Sequence, residues 1–204
     1  QPASYFRNYS DVPLEGLLPC SSTRFYMSQY MQPYVTHVDD ADGVETVDGR
    51  LVAKCFGGAS GSWWFAPACR QNPETCIPVI DGGDGWFVDV NMQRAAVHGM
   101  PLALAVGTWA KFSASTADSL LFWWSPDNTF IDMRPVPIMF PDHNPDLWNA
   151  GFMATDSKKM LLTKWAHHEL PVADQRVAEL LSVISLSPAR IEGMLQATKR
   201  GKSD

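Results

Sequence analysis

The chain has 204 residues, a formal net charge of −6, and 46% hydrophobic against 19% charged residues. That balance supports a buried core, in one large domain or two small lobes, and excludes a disordered chain. The acidic sign argues against a nucleic-acid partner, and no apolar run approaches the ~20 residues that span a bilayer.

Residues 1–24 are rich in Pro, Ser and Tyr and read as an extended arm, with Asn8-Tyr9-Ser10 forming a glycosylation sequon. With no initiator Met and no leader, the sequence reads as a processed chain or a fragment. Arg24 to Val35 is aromatic and β-prone, interrupted by Pro33, and Asp39 to Gly43 reads as a solvated acidic turn. That turn lacks the spacing of a calcium loop. Val52 to Phe56 predicts a short strand. The loop that follows, Gly57-Gly58-Ala59-Ser60-Gly61-Ser62, has no P-loop lysine, yet its backbone N–H groups can approach a small anion.

Cys69 and Cys76 bracket a polar, proline-containing loop that suits a small disulfide ring. Cys20 and Cys55 would then be the remaining pair, although sequence alone permits other pairings. There is no CxxC spacing to suggest zinc. The cysteines and the sequon lean towards an oxidising, extracytoplasmic setting, periplasmic, secreted or luminal.

A second glycine cluster, Asp81 to Gly85, precedes Trp86-Phe87-Val88. Asp89 is placed to cap a helix that Gly99 ends. Pro101 suits the first position of another helix running to Phe112, with a strand over Leu102 to Val106 competing for its first half. Ser119 to Trp124 reads as the clearest buried strand. From Pro126 to Pro145 there are five prolines, which predict an extended crossing with a short strand near Ile138-Met139-Phe140. Pro171 opens a helix with Val177, Leu180, Leu181 and Ile184 at helical spacing. Ser187-Pro188 starts the last helix, and Lys199, Arg200 and Lys202 form a solvated basic tail. The order of elements suits a mixed α/β fold. Residues 1–49 are expected to form the arm and first strands, and 50–204 the α/β domain.

Eight tryptophans are more than a core of this size needs, and half of them form two adjacent pairs, Trp63-Trp64 and Trp123-Trp124. In a strand, neighbours point to opposite faces, so one indole of each pair can pack while the other faces a cleft. Packing alone is the ordinary fate of any one of them. Indole faces are also the best side-chain surface for a quaternary ammonium, which offers no N–H. Enzymatic readings fare worse, and neither catalysis nor a cofactor or metal is expected. No GxSxG, HExxH or kinase-like set occurs. His167 and His168 are read on a helix, pointing apart; Asp142-His143 lies in a proline-rich loop; Cys55 has no arguable base.

Three stretches carry a resemblance. They are the apolar run ending Trp124-Ser125-Pro126, the segment Val136-Pro137-Ile138-Met139-Phe140-Pro141, and the C-terminal pattern from Leu170-Pro171 through Leu180-Leu181, Ile184 to Ser187 and Ile191 to Met194. Their order resembles the substrate-binding proteins of glycine betaine, choline and proline betaine ABC transporters. The resemblance implies a type II periplasmic-binding-protein-like α/β fold over roughly 50–197, with a mixed sheet and flanking helices. Where family members often have His and an aromatic residue, this chain has Asp127-Asn128, and the opening strand and helix of the fold are missing, so the fold is read as shortened at the N-terminus. The resemblance further implies a methylated-ammonium ligand and a transporter permease as partner. Candidate ligand residues are Trp124, Trp63, Trp64, Trp86 and Trp123, with Gly57 and Gly58 for a ligand carboxylate and Asp127 for the cation. The competing reading is a lobe that has stopped binding ligand and serves as a non-catalytic structural subunit among other protein subunits.

Overall fold

A computed structural model describes residues 6–19, 28–56, 61–82, 86–108, 118–133, 135–159 and 163–201. The chain divides into two compact units, one of Gln1–Phe122 with Ile138–Ser157, the other of Trp123–Pro137 with Lys158–Asp204. The architecture is mixed α/β with small sheets, as the order of elements predicts. No helix among the described residues is long and apolar enough to cross a membrane.

The centre of the first unit is a three-stranded mixed sheet. Strand β5 (Leu102–Val106) pairs in parallel with β4 (Ile77–Asp81) and antiparallel with β3 (Trp64–Phe65). Every residue of β4 and β5 is buried, and such unbroken runs suit strands covered on both faces. This settles the competition after Pro101 in favour of the strand, because Leu102 to Val106 is apolar on both sides rather than along one helical stripe. Helix α3 (Val88–Val97) connects β4 to β5 and ends at Gly99, whose positive φ of 60° suits glycine. Asp89 is not its cap. The capping position is held by Phe87 in the left-handed region, φ 56°, and Asp89 lies in the first turn.

Strands β1 (Val44–Val47) and β2 (Arg50–Ala53) form a hairpin around Asp48-Gly49, both at positive φ as a tight two-residue turn requires. A boundary between residues 49 and 50 would cut this hairpin at its turn. The β-prone stretch around residue 30 is instead helix α1 (Ser28–His37), with Pro33 inside it. Met31 and Tyr34, three residues apart, are both fully buried; tertiary burial of this face overrides local β-propensity.

The acidic turn is not solvated at Asp40. That carboxylate is buried, forms an ion pair with Arg70 at the end of α2 (Pro67–Arg70), and accepts the Tyr34 hydroxyl. Arg70 also donates through Nε to the Phe65 carbonyl at 2.9 Å and lies over the Trp64 ring. Burial raises the Asp40 pKa, but hydrogen bonds from Arg70 and Tyr34 outweigh it and leave the carboxyl below its usual range.

The N-terminal arm is tied down where it is described. Leu17 bridges to Gly107 beyond β5, the Leu18 N–H donates to Val106, and Asn8 caps a short 3₁₀ turn at Tyr9–Asp11. Of the strand expected over 119–124, only Leu120 joins the sheet, bridging in parallel to Val79, after which the chain passes into the second unit. The proline-rich stretch contains two short helices, α4 (Asn128–Met133) and α5 (Pro145–Asn149), and no strand at 138–140. Prolines space these helices without entering their interiors; Pro145 occupies the first turn, where a missing N–H costs nothing. Residues 138–157 are held to α3 by Gln93, which bonds Gly151 and Met153, and by Arg94, which donates to the Thr155 carbonyl and lies 4.5 Å from the Phe140 ring centroid.

The second unit contains α4, α6 (Leu170–Ala173), α7 (Gln175–Val183) and α8 (Pro188–Arg200). The helix expected to run on from Pro171 breaks at Asp174, which leaves helical geometry and caps α7 through the Arg176 and Val177 N–H groups. Ser187 caps α8 with Pro188 behind it, as its sequence predicts. His167 and His168 precede α6 in irregular backbone rather than on a helix, with ring centroids 4.4 Å apart.

Candidate binding sites

Trp63 and Trp64 sit at the start of the first unit's sheet and are 1% and 0% exposed. They point to opposite sides, as strand geometry demands. Trp63 meets Tyr9 edge-on at 5.5 Å, and Trp64 meets Tyr34 edge-on at 5.9 Å while donating its N–H to the Gly43 carbonyl at 3.1 Å. Both rings thus have protein partners on their own side of the sheet. Gly57 and Gly58, proposed beside them, lie outside the described residues. So does Cys20; the Cys69–Cys76 disulfide is formed, with Cα atoms 5.5 Å apart, and no described cysteine is free.

Trp123, Trp124 and Asp127 come together in the second unit. The two indoles stack at 4.5 Å with their planes 7° apart, which adjacent residues of an extended strand cannot do. The irregular backbone after Leu120 permits it. Trp123 donates its N–H to Asp127 Oδ1 at 3.1 Å, and the same oxygen accepts the Thr129 N–H at 2.7 Å, so this carboxylate also caps α4. Trp124 is 50% exposed. A stacked pair offers its outer faces only, and here one outer ring is open to solvent to that extent.

Trp86 is half-buried and lies directly on Gly82, where a Cβ would overlap its indole. Glycine is required there for the ring to approach the backbone. Gly82 follows Asp81, which in the sequence reads only as the first residue of the second glycine cluster. Asp81 ends β4 and is fully buried; its Oδ2 accepts the Asn91 side-chain N–H at 3.0 Å, and its Oδ1 has no hydrogen-bond partner among the described residues. Burial, with a small addition from Asp89, pushes its pKa up to about 7 against the downward pull of Asn91. The available signal was an acid terminating the apolar run Ile77-Pro78-Val79-Ile80, just before paired glycines. Phe87, in the left-handed region, packs 5.1 Å from Phe122 and 6.5 Å from Trp148.

Among the described residues no cluster of three His, Cys, Asp or Glu side chains is arranged to hold a metal ion. His143 bonds the Asp156 carbonyl and packs on Trp148 rather than standing open in a loop. The sequence matches no protein-family model, and comparison with curated proteins and with solved structures returned no match.

Proposed function

We propose that the protein is a non-catalytic binding protein for a small quaternary-ammonium compound of the glycine betaine or choline type. In this reading the chain is a shortened type II periplasmic-binding-protein-like fold that works outside the cytoplasm with a transporter permease. The observation that carries the proposal is the Trp123–Trp124 stack with Trp124 half-exposed and Asp127 bonded to the inner indole. A methylated ammonium has no N–H to donate, so it is recognised by a ring face and a diffuse negative charge. A carboxylate accepting the Trp123 N–H adds electron density to the stack, which strengthens the pull of its outer face on a cation.

Magnitudes limit the affinity. One exposed ring contributes ~0.5–1 kcal/mol, whereas millimolar binding already requires about 4 kcal/mol. Asp127 and the fit around the methyl groups must supply the rest, and the expected dissociation constant is about millimolar or weaker. Tryptophan fluorescence and calorimetric titrations with choline and glycine betaine test this. Saturation is expected, with affinity falling about fivefold in Trp124→Ala. A folded wild-type chain that gives no saturable response, or a variant that binds as well, would overturn the proposal.

A second reading, the structural subunit, is favoured by a different observation. No described residue of the second unit is buried, and Trp165 and Val172 are each 91% exposed. Leu180 and Val183 of α7 are also exposed, and apolar surface of this kind marks interaction sites. Amide exchange in α7 and α8 as slow as in the first unit's sheet would count against this reading.

A further inference from the structure

Among the described residues, the first unit's sheet has one place where its connections part. From β4 the chain goes through α3 to β5 on one side; from β5 it goes to Leu120, which pairs on the opposite side of β4. Connections leaving in opposite directions open a crevice beyond the carboxyl ends of the parallel strands, where ligands of α/β folds settle. Asp81 is the last residue of β4 and stands at that place.

We propose that Asp81 anchors a ligand site in the first unit for a small ammonium ion that carries at least one N–H. The orphaned Oδ1 argues for this most directly. Burying an acceptor without a donor is costly, more so for a charged group, and folded proteins leave few such atoms. Asn91 holds the other oxygen and fixes the carboxyl plane, so Oδ1 has a set direction in which to accept. A metal ion would need further oxygen or nitrogen ligands, and no three-residue ligand group occurs among the described residues. An ammonium N–H needs one acceptor and tolerates ring faces around its carbon atoms. Aromatic rings stand close in sequence: Trp86 lies on Gly82, the residue after Asp81, and Phe87, which packs on Phe122, lies one helical turn before Asn91. The ligand enters by displacing the Trp86 indole, which is half-buried and gives an optical signal.

Proton balance supplies a signature. With the carboxyl titrating near pH 7, the cation takes the place of a proton, so binding at lower pH releases H⁺ from Asp81. Asp89, in the first turn of α3, is the one described charged group whose field reaches Asp81; the β5 side of the strand contributes only apolar residues.

The test titrates the whole chain with ethylammonium chloride at pH 6 and pH 8, following tryptophan fluorescence and heat, with tetramethylammonium as the probe that lacks N–H. Saturable ethylammonium binding is expected, about tenfold tighter at pH 8 than at pH 6, without competition from tetramethylammonium. Asp81→Asn, which preserves shape and removes the charge, is expected to abolish it while the near-ultraviolet circular dichroism stays native. Absent binding, equal affinity at the two pH values, displacement by tetramethylammonium, or binding retained in a folded Asp81→Asn chain would each overturn the proposal. Should that variant fail to fold, the pH ratio in the unaltered chain decides alone.

Discussion

Asp81 is fully buried and retains its proton to about pH 7, whereas the same carboxyl in an unfolded chain titrates near 3.8. The native state therefore binds the proton more tightly, and the associated stability is present below pH 4 and lost as pH rises through 7. Because the group is wholly buried, solvent screening removes little of it, and linkage gives about 4 kcal/mol over that window. Chemical denaturation of wild type between pH 4 and pH 8 should show this fall. In Asp81→Asn the slope should flatten to the smaller part left by Asp89, whose carboxyl burial also raises. An unchanged slope in the variant would mean that Asp81 titrates normally. At this scale the sequence was only half legible. Tryptophan pairs announce themselves, but Trp63 and Trp64 pack inside while Trp124 is open, and no local pattern separates the two cases.

Among the elements, the buried Asp40–Arg70 pair links the 3₁₀ turn at Ala41–Gly43 to α2, and Tyr34 brings α1 into the same network. Side-chain exposures of 15% and 5% mean that neither charge is free to find water when its partner is removed. Asp40→Ala leaves a buried guanidinium unpaired and should cost about 3–5 kcal/mol in denaturant unfolding. Replacing both partners with apolar residues should cost less, because the desolvation penalty disappears with the charges. A single variant within ~0.5 kcal/mol of wild type would show that Arg70 finds other acceptors. Since the Asp40 carboxyl is held below its usual range, its contribution exists above the unfolded value and is lost as pH falls into the acid region. One capping signal was fully legible: Ser187-Pro188 starts α8 because a hydroxyl and a proline act within one turn of chain, whereas Asp89, read as a cap, lies in the first turn behind Phe87. The solvated turn assigned to Asp39 to Gly43 failed for the opposite reason, since the partner of Asp40 lies thirty residues away at Arg70.

At the scale of the molecule the two units differ in kind. The first encloses a core around Trp64, Leu104 and Met92, whereas no described residue of the second is buried. Amide exchange should reflect this: β4, β5 and α3 are expected to exchange only through global unfolding, and α7 and α8 through openings of lower free energy. Equal protection in the two units would remove the support for the structural-subunit reading, because the second unit would then be stable without a covering partner. Slower exchange in α7 after addition of choline would connect that unit to ligand binding instead.

Mixed α/β character, the capped last helix and the Cys69–Cys76 ring followed from residues close in sequence, whose chemistry acts over a turn or a short loop. Helix at Ser28–His37, strand rather than helix after Pro101, and the full burial of the acid Asp81 at the edge of a glycine cluster were decided by tertiary structure alone. The physical reason is the same in all three. Burial depends on which distant segments cover a residue, and the free energy of that covering exceeds the local propensities a sequence displays.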